Sequence, residues 1–515
     1  MNNYMHILLK YVFIRSFPTK LGINDSALSP LFLRVNIVKF LDKINIYDHL
    51  NVVDWMIFAV AMLITIGIAA LAYHRRKLPA QSKSPALEYI LMGRQLTLPL
   101  FIATLVSTWY GGIMGVTQIA FEKGIYNFVT QGLFWYISYA IFALFLVKKI
   151  RIHEVLTLPE LVGKTIGPKS AKLTAIFVFL KTLPITYIIS LGIFLELILQ
   201  TSFLTSIMIG TGFVILYSFF GGFRAVVYSD FVQFLLMFSG VICVVIFSFM
   251  QFGGYDFLVQ KLPATHFKPC SDYSISTTLV WFFIACSTTF INPTFYQRCL
   301  AAKDTKTATK GIFLSMIFWL IFDCCTTLGG MYAKALIPQA DSLHSYLTYA
   351  MQLLPTGLKG LLIASIAATI LSTLDSFLII SSTSMSYDLF KKGSHSTLKH
   401  NIFILITGIF AVLVAWHFEG QMENIWKTLK GYFSACLLVP VLLVLNIKHT
   451  ISDKAFIFIS LASVASTTIW IGCGLDKNYD IDPFYIGLAV SCTQFLPLLI
   501  SKSFFRGRSR CHTVS

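Results

Sequence analysis

The sequence predicts an all-α polytopic membrane protein of about thirteen spanning helices, and three observations carry that reading. The hydrophobic fraction is 56% against 12% charged residues, with a mean hydropathy of +0.74, a balance outside the range of soluble globular domains. Apolar windows of about 20 residues recur along almost the whole chain, the length a helix needs to cross a hydrocarbon core. No window shows the short alternating strands of an outer-membrane barrel. The expected spans lie near 52–74, 96–120, 128–148, 171–199, 203–221, 226–251, 275–296, 309–334, 357–386, 400–418, 422–446, 454–473 and 484–501.

In chain order, residues 1–48 come first and lack the compact apolar core and cleavage site of a signal peptide. They read as a flexible extension or as the product of an upstream start codon. The transmembrane domain covers 49–502, and 503–515 form a basic cytoplasmic tail. In the second span, Leu105 to Gly115 reads LVSTWYGGIMG, which sets Ser107, Thr108, Gly111 and Gly112 near its midpoint. Hydroxyls and glycines weaken a helix there, and an interrupted helix is tolerated in a membrane only where its freed backbone lines a cavity or binds something.

The fourth span carries Lys181 roughly ten residues in, about 15 Å from the inner surface at the helical rise, too deep for easy snorkelling. The sixth begins near Asp230, where helix capping and a functional acid are both compatible with the position. The seventh contains CSTTFINPTFYQR, with Ser287, Thr288 and Thr289 just before Asn292-Pro293, and proline there frees a carbonyl. The eighth buries Asp323. In the ninth, Thr369, Ser372, Thr373 and Ser376 fall at i, i+3, i+4 and i+7 on one face. Close helix packing explains such a face, and so does a set of hard oxygen ligands for an alkali cation. Lys427 and Lys430 enter the eleventh span, where Lys427 either reaches the outer interface or stands as an intramembrane cation. Each centre-of-membrane charge costs about 2.5 to 3.5 kcal/mol on insertion scales. Lys181 and Asp323 therefore read either as a structural pair or as groups that meet a substrate.

The net charge of +17 does not form a basic patch with interleaved aromatics, so nucleic acid is not an expected partner. The basic residues fall in short loops. With the N-terminus outside, inner loops hold Arg75, Arg76, Lys148, Lys149, Arg151, Arg298, Lys303, Lys391 and Lys392, while outer loops keep few, such as Lys123, Lys261, Lys268 and Lys477. The positive-inside rule thus selects N-out, C-in, with Lys10, Arg15, Lys20, Arg34, Lys39 and Lys43 of the extension opposing it. Ten cysteines are scattered without metal-ligand spacing. Histidines lie in loops or at span ends, so intramembrane acid-base catalysis lacks its usual residue and no enzyme is expected. Gly163-Lys164-Thr165 imitates the end of a phosphate loop, but Leu158 stands where its first glycine belongs.

The second and seventh spans are five apart, so spans 2–6 and 7–11 read as two inverted halves of a core over about 93–447. LYSFFGGFRAVVYSDFVQ, Leu216 to Gln233, resembles the signature of the sodium:solute symporter family, whose members include sodium/proline, sodium/pantothenate and sodium/glucose transporters. GRQL at Gly93, YQRCLAAKD from Tyr296 to Asp304, and STLDSF with the following YDLFKK agree in order and spacing. The resemblance covers about residues 50–500 and implies the five-plus-five, leucine-transporter-like fold with extra spans at both ends. It also implies a sodium site made by the backbone carbonyls of Ser107 and Tyr110, the carbonyl of Thr369 and the side chains of Ser372 and Thr373, with Asp230 close by.

For the substrate, the matching region offers Trp109, Tyr110, Gly111, Gly112 and Met114 where the family's sugar transporters carry polar residues. The family's inner tyrosine gate falls on Thr288, beside Thr289, and its proline transporters carry an acid where Trp109 stands. Neither a sugar nor proline is expected. Lys181 and Lys427 can pair with a carboxylate, which favours an organic anion or zwitterion. The expectation is a sodium-coupled symporter in the cell membrane, its partners a small solute and the bilayer, its oligomeric state open with a monomer included. A transporter-like sensor and a sodium-independent permease, proton-coupled or facilitative, are the alternatives.

Overall fold

The computed structural model describes residues 46–76, 85–219, 221–390, 397–418, 437–442, 445, 452–476, 483 and 485–494. Outside that range lie the expected extension through residue 45, Lys427 and Lys430 with most of span 422–446, the end of the last span, and the tail 503–515.

The described residues form helices and one isolated bridge, Leu96 to Ala302. The first span is α1 (Val52–Arg76), whose Asp54 is fully buried. Its carboxylate accepts from the Gly357 and Gly360 amides at 2.7 and 2.9 Å, so it caps the start of a distant helix, where negative charge is favoured. The second span is divided into α2 (Leu98–Ser107) and α3 (Ile113–Lys123), as the glycine and hydroxyl pattern predicts. α4 (Phe128–Ile152) contains two π turns. The fourth span is also divided, into α5 (Pro168–Thr182) and α6 (Ile185–Leu199). The sequence reading treats it as continuous, but Pro184 supplies no amide to continue the ladder. Gly163-Lys164-Thr165 lies in the last turn of a short helix, Leu158–Thr165, not in a phosphate-type loop.

α7 (Phe203–Ser218) and α8 (Phe223–Phe252) follow. α9 (Ile275–Phe290) and α10 (Pro293–Ala301) make the seventh span, bent by 44° at the break. Asn292 caps α10 by accepting from the Thr294 amide at 3.0 Å, and Pro293 suits the first helical position because its missing donor is not needed there. α11 (Thr305–Leu336), α12 (Leu358–Leu389), α13 (Thr397–His417) and α14 (Asp453–Gly472) complete the labelled elements. Among the described residues eight helices are long and apolar enough to span a membrane, nine if the bent pair is one span. That is fewer than thirteen because α2, α3 and α7 are short and parts of two expected spans lie outside the described range.

The central helix is α12, with 94% of its apolar window buried. It packs closely along α8, where a Cβ on Gly240 would sit 2.3 Å from that of Ser365. Small residues at such crossings let backbones approach, which is how spanning helices associate without a hydrophobic driving force. The two broken spans are tied at one end: the Leu96 amide donates to the Ala301 carbonyl at 3.1 Å, and the Lys303 amide to Leu96 at 3.0 Å.

Candidate ion site and central cavity

α2 stops at Ser107, which leaves its last carbonyls without helical partners. The Ser107 carbonyl accepts instead from Ser372 Oγ of α12 at 2.7 Å. One turn earlier on α12, the Thr369 carbonyl accepts from Ser372 Oγ at 3.2 Å and from Thr373 Oγ1 at 3.3 Å. Ser107, Thr369, Ser372 and Thr373 are all fully buried. Gly111 explains how the break lies so close to α12: a Cβ there would be 2.6 Å from both Thr373 and Tyr187. Only glycine fits. The arrangement concentrates hydroxyl and carbonyl oxygens, the donor type that suits an alkali cation.

Below this set runs a polar network that the sequence reading missed. Arg298 is counted there as an inner-loop cation, but it lies on α10 and is fully buried. Its guanidinium donates to Thr104 Oγ1 at 2.9 Å, Thr108 Oγ1 at 2.5 Å and Ser376 Oγ at 2.9 Å. Its Nη2 is 3.5 Å from Asp230 Oδ2, and Thr104 also donates to Asp230. Capping is thereby corrected as a role for Asp230, because α8 begins seven residues earlier, at Phe223. A second acid, Asp375, accepts from Tyr217 at 2.7 Å within electrostatic reach of Asp230 and Arg298. One signal was available in the sequence: Arg298 follows Pro293 by five residues, inside the post-break helix. Ser376 of the hydroxyl face belongs to this network rather than to the oxygens around Thr369.

Lys181 and Asp323 do not pair. Lys181 Nζ donates to the Ile291 carbonyl at 3.4 Å, at the second break, where a cation is favoured by the carbonyl end of α9. Asp323 accepts from the phenol of Tyr110 at 2.5 Å and from Tyr136. The structural-pair reading is therefore corrected; the break carbonyl gives Lys181 a partner and two phenols give Asp323 its own.

Between the two breaks lies a cavity of about 70 Å³, lined by Trp109, Gly112, Gln131, Trp135, Lys181 and Thr288 among others. Gly111 and Thr289, expected beside a substrate, are not among its lining residues; Gly111 faces Thr373, and Thr289 is fully buried. Lys427 lies outside the described residues. Trp109 meets Trp135 edge-on with ring centroids 4.7 Å apart, which makes one wall aromatic.

Comparison with known proteins adds the remaining constraint. The family model described as the Sodium:solute symporter family matches residues 89–459. A sodium/glucose cotransporter of Vibrio parahaemolyticus is 26% identical over 475 residues, which cover 80% of this chain and 84% of that protein. The high-affinity proline transporter PutP of Bacillus subtilis strain 168 is 27% identical over 323 residues, 59% of this chain and 67% of its own. Among solved structures, the substrate-bound, outward-open state of a Na+-coupled sialic acid symporter has a TM-score of 0.69 at 16% identity. It covers 86% of this chain and 97% of that one, a likeness of fold.

Proposed function

The chain belongs to the sodium:solute symporter family, and we propose that it imports a small organic anion or zwitterion together with sodium by alternating access. Sodium as the coupling ion, a small-molecule solute and a multi-pass place in a membrane follow from the family. The fold is the leucine-transporter-like one implied by the sequence resemblance. Sodium binds the carbonyls of Ser107, Tyr110 and Thr369 with the hydroxyls of Ser372 and Thr373. The observation that carries this reading is the contact of the broken end of α2 with the hydroxyl face of α12, made at 2.7 Å between Ser372 and Ser107.

In the structure each of these hydroxyls donates to a carbonyl. A cation entering between them replaces those hydrogen bonds and takes the oxygens as ligands, drawing α2 and α12 together. Of two buried acids near these oxygens, Asp230 faces the Arg298 guanidinium at 3.5 Å and Asp375 accepts from Tyr217. A cation bound between α2 and α12 would favour their ionised forms, and they would favour it in turn. Trp109, Gly112, Thr288 and Lys181 meet the solute, and Lys181 supplies its positive charge. The ion stabilises the outward-open state, and both ligands leave inward after the breaks flex.

The test is uptake by the full chain in proteoliposomes under a sodium gradient. Ser372→Ala with Thr373→Ala should abolish sodium-driven uptake while the protein remains inserted and monodisperse. Unchanged sodium dependence would remove the ion site.

A further inference from the structure

We infer that the central cavity selects a small aliphatic monocarboxylate and rejects the zwitterion built on the same carbon skeleton. This deepens the proposed symport of an anion or zwitterion and rests on that reading. The first ground is the donor set. Besides Lys181, two lining residues carry buried N–H groups without hydrogen-bond partners, Gln131 Nε2 and Trp135 Nε1. A buried donor left unmade costs free energy, so three donors around one cavity call for a ligand rich in acceptors. A carboxylate has two oxygens and a charge that matches Lys181.

The second ground is that the cavity offers no anion to an ammonium group, and the second break's carbonyls are already engaged. At the second break the Thr289 carbonyl accepts from the Asn292 amide at 3.1 Å, the Phe290 carbonyl from Tyr296 at 2.9 Å, and the Ile291 carbonyl from Lys181. Asn292 Oδ1 is used by Thr294 through both its amide and its hydroxyl. No acid lines the cavity among the described residues. Asp323 is occupied by Tyr110 and Tyr136, and Tyr110, not Asp323, faces the cavity. The aromatic wall by itself would attract a cation, but Lys181 already occupies that space and repels a second positive charge. An ammonium would therefore be buried beside Lys181 without an anion to pair with, which is costly.

Size limits the tail. An apolar cavity of roughly 150 Å³ takes benzene, so one of about 70 Å³ suits a short chain. Propionate and butyrate are far nearer that size than sugars or pantothenate. Phe377 and Tyr187 complete an apolar lining for such a tail.

The experiment is a thermal-shift series on the purified full chain, in sodium and in potassium, with equal concentrations of propionate, alanine and propionamide. Propionate alone should raise the Tm, and only in sodium. Lys181→Met should remove the propionate shift, and Lys181→Arg should keep part of it; if either variant fails to fold, the three ligands on the unaltered protein still decide. Stabilisation by alanine equal to that by propionate would overturn the inference, as would a propionate shift that survives Lys181→Met. Stabilisation by sodium with none from propionate would overturn it too, while leaving sodium coupling intact. A propionate shift of equal size in potassium would instead overturn the coupling and spare the carboxylate class.

Discussion

Arg298 is the residue on which the two halves of the core depend, because its guanidinium joins both breaks to α8 and α12. Replacing it by methionine leaves Asp230 buried without its cation, a loss of about 3 to 5 kcal/mol for a broken buried pair, so the Tm should fall sharply and transport should cease. Adding Asp230→Asn should return part of the lost Tm, a coupling that a thermal-melt cycle measures directly. Arg298→Lys should be only partly tolerated, since an ammonium cannot reproduce the paired Nε and Nη2 donation to Thr104. Lys181 and Asp323 give the opposite expectation. They share no partner, so Lys181→Ala and Asp323→Ala should add in unfolding free energy to within about 0.5 kcal/mol; rescue of one by the other would restore the ion pair that the geometry denies. A pH effect is expected outside the spans. His266, in the loop between α8 and α9, is buried with Nε2 3.1 Å from the Phe121 carbonyl. Burial holds its pKa below the ordinary 6.5, with Lys334 and Lys123 adding to the effect against the opposing carbonyl contact. The unfolded chain then takes the proton first as pH falls, so stability is complete above about 6.5 and declines below it. His266→Gln should flatten that decline in a series of melts against pH.

At the scale of the elements, the broken spans are the working parts, and the sequence makes them visible for a local reason. Gly111-Gly112 and Asn292-Pro293 carry the backbone properties that stop a helix, so both breaks are legible before any packing is known. Gly111 should be irreplaceable, since a methyl group would strike Thr373 at 2.6 Å. Gly111→Ala should raise the sodium concentration for half-maximal uptake by an order of magnitude or more, corresponding to at least about 1.4 kcal/mol. Thr373→Ser in the same chain should recover none of it, because serine keeps the Cβ and Oγ atoms that meet the added methyl, and the Tyr187 ring still blocks it. What the sequence does not reveal is which polar side chains find one another across elements. Arg298 sits beside the loop lysines Lys303 and Lys306 and shares their charge, and only the fold of α10 back against α2 takes it out of the count of loop cations. Asp54 is similarly unremarkable in the sequence, because its partners are amides some three hundred residues away. Pro184 was a local signal for the division of α5 from α6, but the apolar run on both sides masked it.

For the molecule as a whole, sidedness decides which end of the fold meets external sodium and solute first. The contacts divide the connecting segments into two groups at opposite ends of the second span. Lys123, at the end of α3, pairs with Asp272 at 3.1 Å, while Leu96, ahead of α2, is tied to Ala301 and Lys303, and Arg151 reaches the carbonyls of Cys299 and Ala302. The second end carries the greater share of loop lysines and arginines even after Arg298 is removed from the count, so the positive-inside rule predicts that it lies in the cytoplasm. On that prediction the loop around Asp272, which holds Cys270, faces outward. Cys473, exposed just after α14, is predicted to fall on the same side, because Asp453 at the start of α14 is held by Ser170 at the start of α5, at the second end. A membrane-impermeant maleimide added to intact cells should therefore label Cys270 and Cys473, and Cys270→Ser with Cys473→Ser should remove most of the signal. Labelling of these two only in inside-out vesicles would invert the molecule. Inversion would exchange which end of the molecule meets external sodium first but would leave the proposed uptake inward, because symport carries the solute with sodium down the inward gradient in either orientation.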